Sequence, residues 1–102
     1  MNTNLNYEGF EKYLCKRTIL QKLGGIQYLF KFDNHYGASV VKHKCSYGHG
    51  QDLWELAVIL FDECGEWDIT YDTDIANDVI GNLSDEKVKD ILGKIKSLKS
   101  SR

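Results

Sequence analysis

Side chains that alternate along residues 26–33 restrict the fold of this chain more than any other feature of its sequence. Successive side chains of a β-strand point to opposite faces of a sheet, so an apolar residue at every second position predicts a strand with one buried face. The residues on the predicted buried face are Ile26, Tyr28, Phe30 and Phe32, and those on the opposite face are Gln27, Leu29, Lys31 and Asp33. The Gly24-Gly25 pair before this strand and the turn-forming residues 33–37 after it predict hairpins on both sides.

Four further segments have the composition of strands. Residues 16–23, 38–45 and 66–71 contain β-branched or aromatic residues and are bounded by turns. Residues 53–61 form an almost continuous apolar run, which favours a central strand buried on both faces, although period alone does not separate such a strand from a buried helix. In the last segment the residues expected to point inward are Trp67, Ile69 and Tyr71, and those expected to point outward are Glu66, Asp68 and Thr70.

Three segments predict helices. Residues 7–14 predict a short helix near the N-terminus, and residues 75–83 predict a second short helix. A longer helix is expected to begin after Ser84, a favourable N-cap, because apolar residues then recur at helical spacing. These residues are Val88, Ile91, Leu92, Ile95 and Leu98.

The predicted fold is α+β: an antiparallel meander of about four strands packed against a C-terminal amphipathic helix, with a short N-terminal helix. The 102 residues fit a single domain, 1–102, of which residues 1–6 are expected to be disordered. The three cysteines are widely spaced and odd in number, the polar N-terminus lacks the apolar region of a signal peptide, and no apolar run approaches the ~20 residues of a membrane span. We therefore expect a cytoplasmic protein with free thiols and no membrane partner.

Charge is distributed unevenly along the chain. Residues 45–86 contain eleven carboxylates and no Lys or Arg, whereas residues 1–44 contain seven bases and three acids and residues 87–102 contain six bases and one acid. The net charge is only −2, so the sequence predicts a dipolar molecule. A folded segment of one sign creates a field that attracts a partner of the opposite sign.

The carboxylates around the last predicted strand are the candidate partner-binding site. Same-face residues of a strand repeat every ~6.6 Å, so exposed carboxylates there would form a row that fits a basic partner. Direct contact with nucleic acid is disfavoured by repulsion, and an ordinary solvated face is the alternative interpretation. Two tyrosines are included because predicted turns expose aromatic side chains. The candidate residues are Asp62, Glu63, Glu66, Asp68, Asp72, Asp74, Asp78, Tyr36 and Tyr47.

A histidine- and cysteine-containing segment suggests a second type of site. His43, Cys45 and His49 form H-x-C-x3-H, with His35 nearby in sequence, and zinc accepts imidazole and thiolate ligands. A fourth ligand is not evident, and neither CxxC nor HxxxH occurs, so no metal or other cofactor is expected. A small accessory module that binds a ligand or metal near residues 35–49 is kept as the alternative function. No spacing typical of a nucleophile beside its base is present, and an enzyme is not expected.

Several stretches of the chain resemble small phage and prophage proteins. These stretches are residues 30–41, 46–48, 54–58 and 71–81, followed by the closing helix. The resemblance contains no motif of known chemistry, so no functional residue is transferred from it. It implies a protein that acts by binding inside a bacterial host cell, since some small phage proteins, anti-CRISPR proteins among them, inhibit bacterial defence systems. The expected function is inhibition of a nucleic-acid-handling protein, a CRISPR effector nuclease being the most concrete candidate, by an acidic surface placed on its basic nucleic-acid-binding site.

Overall fold

A computed structural model describes residues 4–20, 24–42, 53–70, 73–75 and 79–99 of the chain. These residues form an antiparallel β-sheet, one α-helix and a single 3₁₀ turn, which confirms the predicted α+β class. In chain order the elements are a 3₁₀ turn at Glu11–Tyr13, β1 at Leu14–Leu20, β2 at Gly25–Lys31, β3 at Tyr36–Lys42, β4 at Trp54–Phe61, β5 at Trp67–Ile69, β6 at Ile80–Leu83 and α1 at Asp85–Lys96.

The sheet is a meander with one addition. Strands β1 to β5 lie side by side in chain order, each antiparallel to its neighbour. Two short strands pair with the outer edge of β4. β5 lies opposite the C-terminal half of β4, and β6 lies opposite its N-terminal half. The described residues therefore contain six strands, and the predicted count of about four was too low.

The main core lies between the sheet and α1. The helix packs against β3, β4 and β6, and it buries Val88, Leu92 and Ile95. Ser84 caps it as predicted, since its hydroxyl accepts a hydrogen bond from the backbone N–H of Lys87 at 3.3 Å. The sheet side of this core is formed by Ile26, Tyr28, Phe30, Ala38, Val40, Trp54, Leu56 and Val58.

The opposite face of the sheet has an apolar cluster of its own. Leu29, Ile59 and Phe61 are buried there, and Ile69 packs against them. The prediction that β4 is a strand buried on both faces is confirmed, whereas the single buried face predicted for β2 was wrong at Leu29. Leu29 does point away from Ile26, but it points into this second cluster and not toward solvent.

The predicted N-terminal helix over residues 7–14 is reduced to the 3₁₀ turn at Glu11–Tyr13. Gly9 adopts a positive φ of 95°, which breaks the helix before it begins, and Leu14 already belongs to β1. The aromatic side chains of this segment pack on the sheet instead, with Tyr7 against Phe30 at a ring-centroid distance of 5.7 Å. Ahead of it, Leu5 is buried and its backbone N–H lies 3.4 Å from the Tyr28 hydroxyl.

The short helix predicted over residues 75–83 was also wrong for its described C-terminal part. Residues 80–83 are strand β6, in which Leu83 pairs with Trp54 and Ile80 pairs with Leu56. Asn82 has a φ of 59°, a left-handed conformation that no regular helix contains. The free edge of β4 provides hydrogen-bonding partners for this segment, and that tertiary contact outweighs the weak local helical pattern.

Within the described residues, no helix is long and apolar enough to span a membrane. Cys15 and Cys64 are exposed free thiols, as expected, and Cys45 lies outside the described residues.

Candidate partner-binding surface

The β4–β5 hairpin is held in shape by one of its own carboxylates. Asp62 Oδ1 accepts hydrogen bonds from the backbone N–H groups of Cys64 at 2.9 Å and Glu66 at 3.0 Å. The backbone of Asp62 adds a bond from its N–H to Glu66 O and another from Gly65 N–H to its carbonyl. Gly65 has a φ of 84°, a conformation that favours glycine. Asp62 therefore fixes the hairpin turn that the composition of residues 62–65 predicts, in addition to its predicted place in the partner-binding set.

A second carboxylate protects the outer edge of β5. Thr70 N–H donates to Val58 O, and Asp62 N–H donates to Glu66 O. At even-numbered positions of this segment the backbone polar groups therefore point toward β4. The backbone N–H of Ile69 consequently points away from the sheet, where Asp68 Oδ1 accepts its hydrogen bond at 2.8 Å. This contact occupies a donor that would otherwise be available to an incoming strand.

The hairpin brings four of the seven predicted carboxylates together: Asp62, Glu63, Glu66 and Asp68, all of them exposed. Glu66, the residue before β5, and Asp68 within it are two positions apart, so in an extended backbone they point to the same side, about 6.6–6.8 Å apart. Neither of these two forms an ion pair with another residue of the described ranges. Asp74 is also exposed, in the segment after β5, while Asp72 and Asp78 lie outside the described residues.

Trp67 is the functional candidate that the sequence missed. It was predicted to point into the core, but 39 % of its surface is exposed, whereas Ile69, also predicted to point inward, does pack against a core cluster. Tyr71, the third, lies outside the described residues. Trp67 sits opposite Phe61 on the three-residue strand β5, at the edge of the sheet. The shortness of this segment and its position after a turn were the available signals that its outer positions would be only partly covered.

Of the two predicted tyrosines, the described one does not lie on this hairpin. Tyr36 is half-buried as the first residue of β3 and packs against the main core, opposite Leu60, so it does not lie in an exposed turn, and its partner-binding role stays a prediction. Packing against the apolar helix side of the sheet decides its position, in spite of the turn that precedes it. Tyr47 lies outside the described residues.

The alternative ligand site near residues 35–49 is described only in part. His35 is half-buried with a φ of 72°, and its carbonyl accepts a hydrogen bond from Phe61 N–H at 2.8 Å. His43, Cys45 and His49 lie outside the described residues. Among the residues that are described, no three His, Cys, Asp or Glu side chains cluster as metal ligands would.

Two polar contacts connect elements around the main core. Trp54 Nε1–H donates to Asp85 Oδ1 at 2.8 Å, and Asn6 N–H donates to Asp85 Oδ2 at 3.1 Å, so this carboxylate connects β4 to the N-terminal segment. Lys42 is buried with its ammonium 4.3 Å from the centre of the Trp54 ring.

The exposed groups of the hairpin are carboxylates and an indole. Carboxylates accept hydrogen bonds and attract cations, and an exposed indole offers a large apolar face, so this surface is chemically suited to a cationic and partly apolar group. A nucleic-acid backbone would be repelled. Scans of protein-family models, of curated proteins and of solved structures found nothing that matches this chain.

Proposed function

We propose that this chain is a non-enzymatic binding protein that docks its β4–β5 hairpin on a basic nucleic-acid-binding site of a bacterial protein. The most concrete candidate partner is a CRISPR effector nuclease, which the bound hairpin would inhibit by occupying the path of its nucleic acid. The observation that supports this proposal is the exposure of Trp67 on one face of a hairpin whose other face presents Glu66 and Asp68, so a groove that encloses the hairpin would contact both.

The two kinds of side chain have different roles in such a contact. Trp is enriched among the residues that dominate binding energy, because a large rigid side chain is desolvated at little conformational cost. Carboxylates at the rim accelerate encounter with a basic site and make the association sensitive to salt. Trp67 would thus provide most of the affinity, and Glu66 and Asp68 would provide the rate and the choice of partner.

A charge-reversed hairpin tests the proposal. We expect Glu66→Lys combined with Asp68→Lys to abolish inhibition of DNA cleavage by the target nuclease, because the surface would then repel a basic groove. Trp67→Ala should weaken inhibition by at least about tenfold, as expected for a central aromatic residue. The measurement is cleavage by purified candidate nucleases titrated with each variant, at low and high salt.

The matched control reverses the same number of charges elsewhere. Glu8 and Asp33 are exposed and lie in other parts of the fold, so Glu8→Lys with Asp33→Lys should keep full potency. Circular dichroism and the unfolding midpoint verify that every variant is folded. Full potency of the reversed hairpin would disprove the acidic-surface model, and inhibition that resists salt would assign the contact to Trp67 and its apolar neighbours.

A further inference from the structure

The two edges of the sheet carry opposite charges, and we propose that a second copy of this chain binds across them, with the β1 edge of one copy on the β5 edge of the next. β1 and β5 are the first and last strands of the path β1-β2-β3-β4-β5. Lys16 and Arg17 are exposed on β1, and Glu66 and Asp68 are exposed at β5. This inference does not depend on the proposed nuclease partner.

On the helix side of the sheet, opposite charges would lie next to each other in such a contact. Arg17 pairs with Tyr28 and therefore lies on the helix side, where its guanidinium is 5.8 Å from the Tyr28 ring centre. Ile69 belongs to the second cluster, so Glu66 and Asp68, at alternate positions of the strand, also lie on the helix side. If the two edges meet with their faces continuous, Arg17 of one copy comes next to the carboxylates of the other.

The other face of the contact is apolar and cationic. Lys16 pairs with Leu29 and lies on the side of the second cluster, which is the side of Trp67. A lysine stem and ammonium beside an exposed indole make a favourable cation–π contact. Trp67, 39 % exposed, is the large apolar side chain on this face, whereas Ile19, 53 % exposed, pairs with Ile26 and therefore lies on the helix side with Arg17.

Both edges limit how the copies can meet. Asp68 occupies the outward N–H of Ile69, and the register of β1 is interrupted between Leu14 and Lys16. These features disfavour a long shared hydrogen-bond ladder, so the contact is expected to form mainly through side chains. The net charge of −2 adds little long-range repulsion between copies. Different patches meet in this arrangement, which makes it heterologous, and it generates rings or chains of copies rather than a closed two-fold dimer.

Two neutralised variants test the contact in the purified full chain. Lys16→Ala with Arg17→Ala removes the basic edge, and Glu66→Ala with Asp68→Ala removes the acidic edge. We expect the native chain to show a concentration-dependent mass at low salt by sedimentation velocity, and we expect each variant alone to stay monomeric. A mixture of the two should form a one-to-one complex that does not grow further, because each variant keeps one intact edge.

Two controls separate charge complementarity from non-specific association. Glu8→Ala with Asp33→Ala should associate as the native chain does, and raising the salt from about 0.05 to 0.5 M should weaken association by about tenfold or more, since the Debye length shortens to a few Å. If Arg17→Ala disturbs folding by loss of its Tyr28 contact, Lys16→Glu alone replaces that variant. A native chain that is monomeric at millimolar concentration, a variant that associates as well as the native chain, or a mixture that stays monomeric would each overturn the proposal. No nuclease is present, so failure here leaves the nuclease proposal unaffected.

Discussion

Asn34 connects the β2–β3 turn to the C-terminal end of α1. It is buried, and its side-chain Nδ2 donates to the carbonyls of Ile95 at 2.8 Å, Lys96 at 3.2 Å and Leu98 at 2.9 Å. Its Oδ1 accepts a bond from Tyr36 N–H. The last carbonyls of a helix have no partner within the helix, so a single amide side chain satisfies several of them.

Replacing Asn34 with Ala should therefore cost about 2–3 kcal/mol of unfolding free energy, since buried acceptors lose their donor. Urea unfolding followed by circular dichroism measures the loss. The neighbouring Asp33 is exposed in the same turn, and Asp33→Ala should change stability by less than about 0.5 kcal/mol. Equal effects of the two substitutions would show that the amide does not cap the helix.

At the scale of single residues, the sequence predicts only part of the structure. Turn composition correctly places Asn34 between two strands, but the carbonyls that accept hydrogen bonds from its side-chain amide lie 61 to 64 positions away, and no local pattern encodes them. The same limit applies to Asp62, because the sequence alone does not distinguish a carboxylate that fixes a turn from one that faces a partner. Side-chain partners depend on the tertiary fold, which is why the acidic candidates divide into structural and exposed members only in three dimensions.

Elements were predicted well where their pattern is long and local. α1 has a clear helical repeat with a cap, and β4 has a continuous apolar run, so each follows from its own residues. The alternation of residues 66–71 also predicted the strand that contains β5, although it did not predict the exposure of Trp67. β6 does not follow from its own residues, since its state is decided by the outer edge of β4, which lies elsewhere in the sequence. Residues 80–83 pair with that edge, and Trp67 lies at its margin and is left partly exposed.

Two glycines test the packing of these elements in opposite directions. A Cβ at Gly37 in β3 would lie 2.0 Å from Phe30 O and 2.8 Å from Phe61 Cε1, so Gly37→Ala should destabilise the sheet by about 3 kcal/mol. In α1 a Cβ at Gly93 would meet its nearest atom, Phe10 Cζ, at 4.0 Å. Gly93→Ala should therefore stabilise the protein by about 0.5–1 kcal/mol through helix propensity.

Thermal and urea unfolding of both variants measure these changes. A stabilised Gly37→Ala variant would mean that β2, β3 and β4 do not approach as closely as described. A destabilised Gly93→Ala variant would place α1 nearer to Phe10 than the contact at 4.0 Å indicates.

At the scale of the whole molecule, charge segregation survives folding because the strands follow chain order. A meander converts position in the sequence into position across the sheet, so the basic N-terminal third lies at one edge and the acidic middle third reaches the other. The dipolar character predicted from the sequence is therefore expressed across the width of the sheet. What binds to each edge depends on a second molecule, and a single sequence contains no information about that molecule.

The fluorescence of Trp67 reports on this field, because Trp67 is 39 % exposed whereas Trp54, the second of the two tryptophans, is fully buried. We expect caesium ions to quench the exposed indole at least about twice as strongly as iodide at low ionic strength, since nearby carboxylates attract the cation and repel the anion. Stern–Volmer titrations measure both constants. Glu66→Gln with Asp68→Asn should remove the difference, and Glu8→Gln with Asp33→Asn should preserve it. Equal quenching of the native chain by both ions would contradict a negative field at Trp67.

The division of the outer edge of β4 between β5 and β6 has a consequence for how this protein can change. The hairpin is attached through only three paired residues of β5, whereas β6 continues directly into the helix that closes the main core. Random libraries at the exposed positions 63, 64, 66 and 68, with Asp62 and Gly65 kept to hold the turn, should consequently yield folded proteins. Substitutions in this hairpin can therefore accumulate without loss of the scaffold that carries it.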